Sequence, residues 1–288
     1  MNSSRRRERL RGILSGQRCV HPASVFDPIS ARIAADLGFE LGMFAGSVAS
    51  LTVLGAPDLV LLTLTELAEQ AYRICRAADL PLLVDADHGF GNALSVKRTV
   101  EELEAAGVAG LTVEDTLLPA RFGDSGQTRL IPVEEGIGKM RAALAGRRDP
   151  GLVIVGRTSA MAVTGLEDTL VRLRAYEGTG VDALFLVGVQ TRDQLTGISA
   201  AVKIPLILGG VTGELEDVSQ LSRCRVRVCL QGHLPYMAAV RATYETLKAL
   251  RDGRPPKQIA SVASNDLLKQ VTRDSDYKHW SEEFLGAG

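Results

Sequence analysis

The sequence predicts a (β/α)8 barrel of the TIM type with a C-terminal helical appendage, and three observations predict it. Helices end at glycine and run at once into apolar strands; eight short apolar strands follow one another; and the stretches between them carry helical periodicity. In DLGFELGMF, AAGVAGLTV and GTGVDALFL, Gly38, Gly107 and Gly180 stand where a left-handed residue closes a helix. Their spacing is about two βα units of roughly 35 residues each.

The strand candidates fall near 20–26, 40–46, 82–86, 109–114, 152–156, 182–187, 204–208 and 225–230. Short continuous apolar runs signal burial on both faces, as in a parallel sheet covered by helices. Between them, Val96, Val100 and Leu103 form one apolar stripe and Leu166, Leu170 and Leu173 another. Eight such units favour a closed barrel over an open doubly wound sheet, and no GxGxxG follows an early strand. Residues 1–252 are assigned to the barrel. Residues 253–288 open with GRPPK and carry Trp280 and Phe284 among polar neighbours. They read as a helical extension that packs on its own barrel or reaches a neighbouring subunit.

A chain of 288 residues, 45% apolar, suits one large domain. The net charge of -1, from 33 basic and 34 acidic side chains interspersed, leaves no footprint for nucleic acid or an anionic membrane. The partner is expected to be a small molecule. Cys19, Cys75, Cys224 and Cys229 have neither zinc-site spacing nor the density of a secreted scaffold, so they read as reduced thiols. The opening MNSSRRRERLRGILSG is basic without the apolar stretch of a signal peptide, and no later run reaches membrane-spanning length. A cytoplasmic protein is expected, with Arg5 to Leu14 as an amphipathic opening helix.

Barrel enzymes build their sites at the carboxyl ends of strands. The second strand ends in AGSVAS, offering the backbone of Gly46 and the hydroxyl of Ser47 to a substrate. The third, PLLVDADHGFGN, carries Asp85 and Asp87 at alternate positions of one strand face. Two close carboxylates are costly unless a cation or proton neutralises them, which points to a divalent metal. The fourth, GLTVEDTLLP, adds Glu114 and Asp115, and oxygen-only ligands favour Mg²⁺ or Mn²⁺ over zinc. The fifth, LVIVGRTSA, delivers Arg157, whose planar fork suits a substrate carboxylate or a barrel carboxylate. After the eighth, QGHLPYM places His233 at the mouth, to bind an anion or shuttle a proton. His88 is a weaker candidate that orients a carboxylate, and LGGVTGE after the seventh strand is a glycine-rich turn with no nearby Lys or Arg to hold a phosphate.

Together, VFDPISARIAADLGFE, the Ser47 turn, GAPD at 55–58, LLTLTEL, DADHGFGN, TVEDT and GRTSA resemble the isocitrate lyase and phosphoenolpyruvate mutase superfamily, from about residue 18 to 250. The resemblance implies an α/β barrel that binds Mg²⁺ through Asp85, Asp87 and Glu114, partly through waters, with a 2-oxo acid on the metal. It implies catalytic roles for Asp58, Arg157 and His233 and substrate binding by Ser47, Gly46, Arg157 and His233. It also implies a homotetramer built as a dimer of helix-swapped dimers. The stretch LLPARFGDSGQTRL lacks the cysteine of the lyases' KKCGH-type loop, and neither NxTE after strand seven nor EDKxxxK after strand four is present. SVFDPISARIAADLGFE, EDTLLPARFG, LVGV and the GH of QGHLPYM are most similar to the oxaloacetate decarboxylase branch. That branch implies decarboxylation of oxaloacetate to pyruvate and CO₂ through a metal-stabilised enolate. The alternatives are a C–C or C–P bond lyase or mutase acting on a 2-methylisocitrate- or phosphonopyruvate-type substrate, and a non-catalytic barrel that binds oxalate-like dianions. Two departures stand out: Ser159 follows Arg-Thr where relatives carry Asp or Asn, and Gly209-Gly210-Val211 replaces a segment with a tyrosine.

Overall fold

The computed structural model describes residues 3–123 and 126–286. Eight parallel strands pair in chain order: β1 (Ala23–Ser24), β2 (Gly42–Phe44), β3 (Leu82–Asp85), β4 (Gly110–Glu114), β5 (Val153–Thr158), β6 (Ala183–Leu186), β7 (Leu206–Leu208) and β8 (Val226–Cys229). Each lies inside or overlaps one of the apolar runs. Val20, just ahead of β1, bridges Val228 in parallel, with its N–H donating to Arg227 O at 2.9 Å and its carbonyl accepting from Cys229 N at 3.0 Å. That pairing joins the last strand back to the first segment.

The helices are α1 (Ser3–Ser15), α2 (Pro28–Asp36), α3 (Gly46–Ala49), α4 (Leu64–Ala77), α5 (Ala93–Ala105), α6 (Val133–Gly146) and α7 (Ala160–Val163). They continue with α8 (Leu166–Glu177), α9 (Arg192–Ala201), α10 (Val218–Arg223), α11 (Leu234–Arg251), α12 (Asn265–Thr272) and α13 (Asp274–Leu285). Gly38, Gly107 and Gly180 have φ of 81°, 87° and 93°, the left-handed conformation their positions after α2, α5 and α8 require.

Alternation along the strands divides the core in two. Leu83, Val153, Val155, Phe185, Ile207 and Val228 point into the barrel, whereas Val84, Ile154, Leu184 and Leu206 face the helices. The inner cluster also contains Leu10 and Leu14 of α1, so this helix plugs the barrel at the amino ends of the strands. Its arginines satisfy carbonyls at the ends of other helices and just ahead of strands. Arg6 donates to Cys75 O and to Gly107 O, Arg7 to Glu104 O and Val108 O, and Arg11 to Gly151 O and Leu152 O. The basic opening segment is thereby structural.

At the carboxyl terminus the packing changes. α11 has no buried residue, and Leu234, Met237, Val240, Tyr244, Leu247 and Leu250 all lie exposed along it. α12 returns to the barrel: Val271 is buried, Arg32 donates to its carbonyl at 3.0 Å, and Arg273 grips Asp36 with two bonds of 2.8 and 2.7 Å. Tyr277, Trp280 and Phe284 of α13 stay exposed. All four cysteines are free, and burial pushes the thiols of Cys19, Cys75 and Cys229 up, to about 12, 11 and 11. Among the described residues, no helix is long and apolar enough to cross a membrane.

Candidate active site

A cavity of about 260 Å³ opens at the carboxyl ends of the strands and is lined by Ser47, Asp58, Asp85, Asp87, Glu114, Arg157 and His233. Met43, Val60, Leu118, Phe185, Val187 and Leu230 supply its apolar wall.

Asp85 is the last residue of β3 and is held from three sides. Thr112 Oγ1 donates to Oδ1 at 2.8 Å, the Asp87 N–H reaches the same oxygen at 3.3 Å, and Arg157 Nη1 bonds Oδ2. Glu114 and Arg157 face each other across the β4–β5 register, with Arg157 Nε 3.1 Å from Glu114 Oε2 as an ion pair. The guanidinium also lies over the Phe185 ring, 5.2 Å from its centre. Arg157 is thus committed to two barrel carboxylates, and among the described residues Nη2 is the part of the fork with no carboxylate on it.

Asp87 reaches the cavity by a route that strand alternation does not describe. β3 stops at Asp85, and Asp87 takes a left-handed φ of 46°, followed by Gly89, Phe90 and Gly91 at 80°, 59° and 147°. A non-glycine residue held there is strained unless its surroundings fix it. Here Glu114 N–H donates to Asp87 O at 2.8 Å, Lys139 Nζ to His88 O at 2.8 Å, and Thr99 Oγ1 to Gly89 O at 3.1 Å. Gly46, expected to offer backbone to a substrate, also makes room: a Cβ there would collide with the Asp87 carboxylate.

The charge balance is negative. Burial first, and then Asp85, Glu114 and Asp58, push the Asp87 carboxyl well above the usual carboxylate range. Burial likewise pushes Glu114 up to about 7, with Arg157 opposing and Asp85 reinforcing the rise. Asp58, at the exposed rim, is raised by burial and by Asp85. One guanidinium therefore offsets only part of four carboxylates. Among the described residues, no three His, Cys, Asp or Glu side chains are gathered closely enough to ligate one ion directly. The donor set fits an oxygen-seeking cation that keeps part of its water shell, as Mg²⁺ does.

His233 precedes α11 and is half-buried; its Nδ1 lies 3.0 Å from Ser24 Oγ. Burial lowers its pKa, against the pull of Asp85 and Asp58. His88 is not part of the cavity lining: it is buried beside Phe90, with Nδ1 unpartnered among the described residues and its pKa brought down to about 4 by burial and Lys139. Asp115 points the other way from Glu114, into the helix layer, where Arg172 meets it at 3.0 Å and Tyr176 OH at 2.7 Å. Gly209 lines the cavity, whereas Ser159 lies outside it and its carbonyl starts α7 by accepting from Ala162 and Val163. Asp124 and Ser125, in the stretch after strand four, lie outside the described residues.

The sequence reading missed Thr112, Lys139 and Ser24. Thr112 was legible, since it shares the Glu114 face of β4 at a spacing of two. Lys139 and Ser24 act through partners far along the chain, and nothing local marks them.

Fold and family place the chain among (β/α)8-barrel enzymes, and its candidate site opens at the carboxyl ends of the strands. The chain belongs to the phosphoenolpyruvate phosphomutase family, whose model matches residues 10–251. It is 59% identical over 281 residues to an oxaloacetate decarboxylase of Bradyrhizobium diazoefficiens, covering 98% of this chain and 97% of that one. Among solved structures it is similar to phosphonopyruvate hydrolase in complex with oxalate and Mg²⁺, with a TM-score of 0.85 and 27% identity, covering 97% of this chain and 99% of that one. It is also similar to oxaloacetate acetylhydrolase in complex with 3,3-difluorooxalacetate, with a TM-score of 0.83 and 29% identity over 98% of each chain.

Proposed function

We propose that this protein is a divalent-metal-dependent oxaloacetate decarboxylase that releases pyruvate and CO₂. The observation that carries the reading is the excess of carboxylate around one small cavity, Asp58, Asp85, Asp87 and Glu114 against a single guanidinium. The 59%-identical decarboxylase supports the choice of substrate.

Asp85, Asp87 and Glu114 would hold Mg²⁺ or Mn²⁺, partly through water. When bound, the cation draws electron density from the 2-oxo group of the substrate. Arg157, fixed by Asp85 and Glu114, presents Nη2 to a substrate carboxylate, and Ser47 orients it from the first turn of α3. Asp58 at the rim and His233 at the mouth act on the same bound acid. As the C3–C4 bond breaks, CO₂ leaves and its electron pair passes into the enolate; a solvent proton at C3 then gives pyruvate. Val60, Leu118, Val187 and Leu230 keep water from the departing group.

The test is pyruvate formation from oxaloacetate above the metal's own background, with a loss of about a hundredfold or more expected in Asp85→Ala. Turnover that persists in excess chelator would overturn the metal's role. Phosphate release from phosphonopyruvate, without pyruvate from oxaloacetate, would instead favour C–P cleavage.

We further read α11 as an arm exchanged between paired barrels in a homotetramer, with residues 253–288 as the extension beyond it. Its exposed stripe supports this, as does an apolar groove of about 500 Å³ formed by Phe26, Ile33, Leu37, Phe39 and Leu234. The four free cysteines support a reducing, cytoplasmic setting.

A further inference from the structure

We infer that Ser24 is a positioning residue that holds His233 as the Nε2–H tautomer, so that the imidazole offers the cavity a hydrogen-bond donor and does not deliver a proton. Ser24 ends β1 and is buried, and His233 Nδ1 is the one side-chain or backbone partner of its hydroxyl among the described residues. With no other protein acceptor among the described residues, the hydroxyl points its proton at the nitrogen it faces, which makes Nδ1 the acceptor and leaves hydrogen on Nε2. Since Nδ1 is taken up by Ser24, Nε2 is the ring nitrogen free to serve the cavity that His233 lines.

The backbone beneath the ring is fixed independently. His233 sits at the N-terminus of α11, and three residues on, Tyr236 donates its OH to Leu51 O at 3.1 Å and meets Phe26 edge-on at 5.3 Å. The first turn of α11 is thereby tied to the segment behind Ser47, and Ser24 has only the ring to orient. Burial favours the uncharged ring over the opposing pull of Asp85 and Asp58. A neutral imidazole that gave up Nε2–H would become imidazolate, so it suits the steady holding of an anionic oxygen better than proton delivery.

The tautomer stands apart from the decarboxylase reading, whereas its kinetic consequence rests on it. Magic-angle-spinning NMR of the ¹⁵N-histidine-labelled full chain, with the His233 signals identified by their loss in His233→Gln, reads the ring directly. We expect an unprotonated Nδ1 and a protonated Nε2, a mixture of tautomers in Ser24→Ala, and the original pattern in Ser24→Thr. With oxaloacetate, Ser24→Ala is expected to raise KM about five- to tenfold and leave kcat within about twofold, as loss of an evenly used binding contact does. A protonated Nδ1 in the unaltered protein, or an unchanged ring in Ser24→Ala, overturns the assignment. Absence of pyruvate from every variant would count against the decarboxylase reading, and the spectra would still decide the tautomer.

Discussion

Glu114 and Asp87 are acids that fold into a place where they resist ionising, and that has a sign that can be measured. With burial holding Glu114 near 7 against an ordinary 4.5, the native chain binds more protons than the unfolded one across that interval. The share of stability that Glu114 contributes is therefore greatest below the interval and is lost as pH rises through it. Asp87 shifts in the same direction, Asp149, held low by Arg7, titrates below the window, and His88 and His233, lowered by burial, pull the opposite way below about pH 6.5. The acid is read as a difference: relative to Glu114→Gln, the thermal midpoint of the chelator-treated protein is expected to fall between about pH 5 and about pH 7.5, and Mg²⁺ to reduce that fall by binding the ionised form. A difference that grows the other way over the same range contradicts the linkage. At this scale the sequence revealed the acids and left open their directions. Glu114 and Asp115 are adjacent in TVED, and only the pleat and the presence of Arg172 decide that one serves the cavity and the other the helix layer.

At the scale of elements, the strands and the glycine closures were legible because each is a local matter of apolar runs and one required φ. The helix α1 was legible as a helix, but its place was not. The acceptors of Arg6, Arg7 and Arg11 are carbonyls from three separate helix and strand boundaries, and a carbonyl belongs to every residue alike. The turn at Asp87 was hidden for a related reason: DAD looks like two rungs of one strand, and the break comes from Gly46 opposite and Lys139 behind. The plug has a checkable strength. Leu10→Ala empties a buried site in the inner cluster and is expected to lower the unfolding free energy by about 2–5 kcal/mol. Urea denaturation measures that loss; because the plug sits at the far end of the barrel, Mg²⁺ binding should survive it. A change under about 0.5 kcal/mol would mean that α1 merely rests on the barrel.

On the scale of the molecule, the barrel keeps its eighth strand and sends its eighth helix outward, since α11 buries none of its residues. On the reading of α11 as an exchanged arm, Tyr244→Glu with Leu247→Glu places two charges in the exposed stripe. The complex is then expected to fall apart to a lower mass in light scattering coupled to size exclusion, with circular dichroism nearly unchanged. An unaltered mass would show that the stripe is not the joint. Residues 1–252 are set together as barrel because GRPPK marks a break in the sequence at 253; whether α11 has a wall to lie on is a property of three-dimensional closure. The root of that outward helix is His233, the same residue that faces the cavity. If a neighbouring barrel takes up the far end of this eighteen-residue lever, its pull reaches the fulcrum only through the Tyr236 anchor. On that reading, diluting the assembly frees the outer turns first, and the grip on the bound acid lasts for as long as that anchor holds.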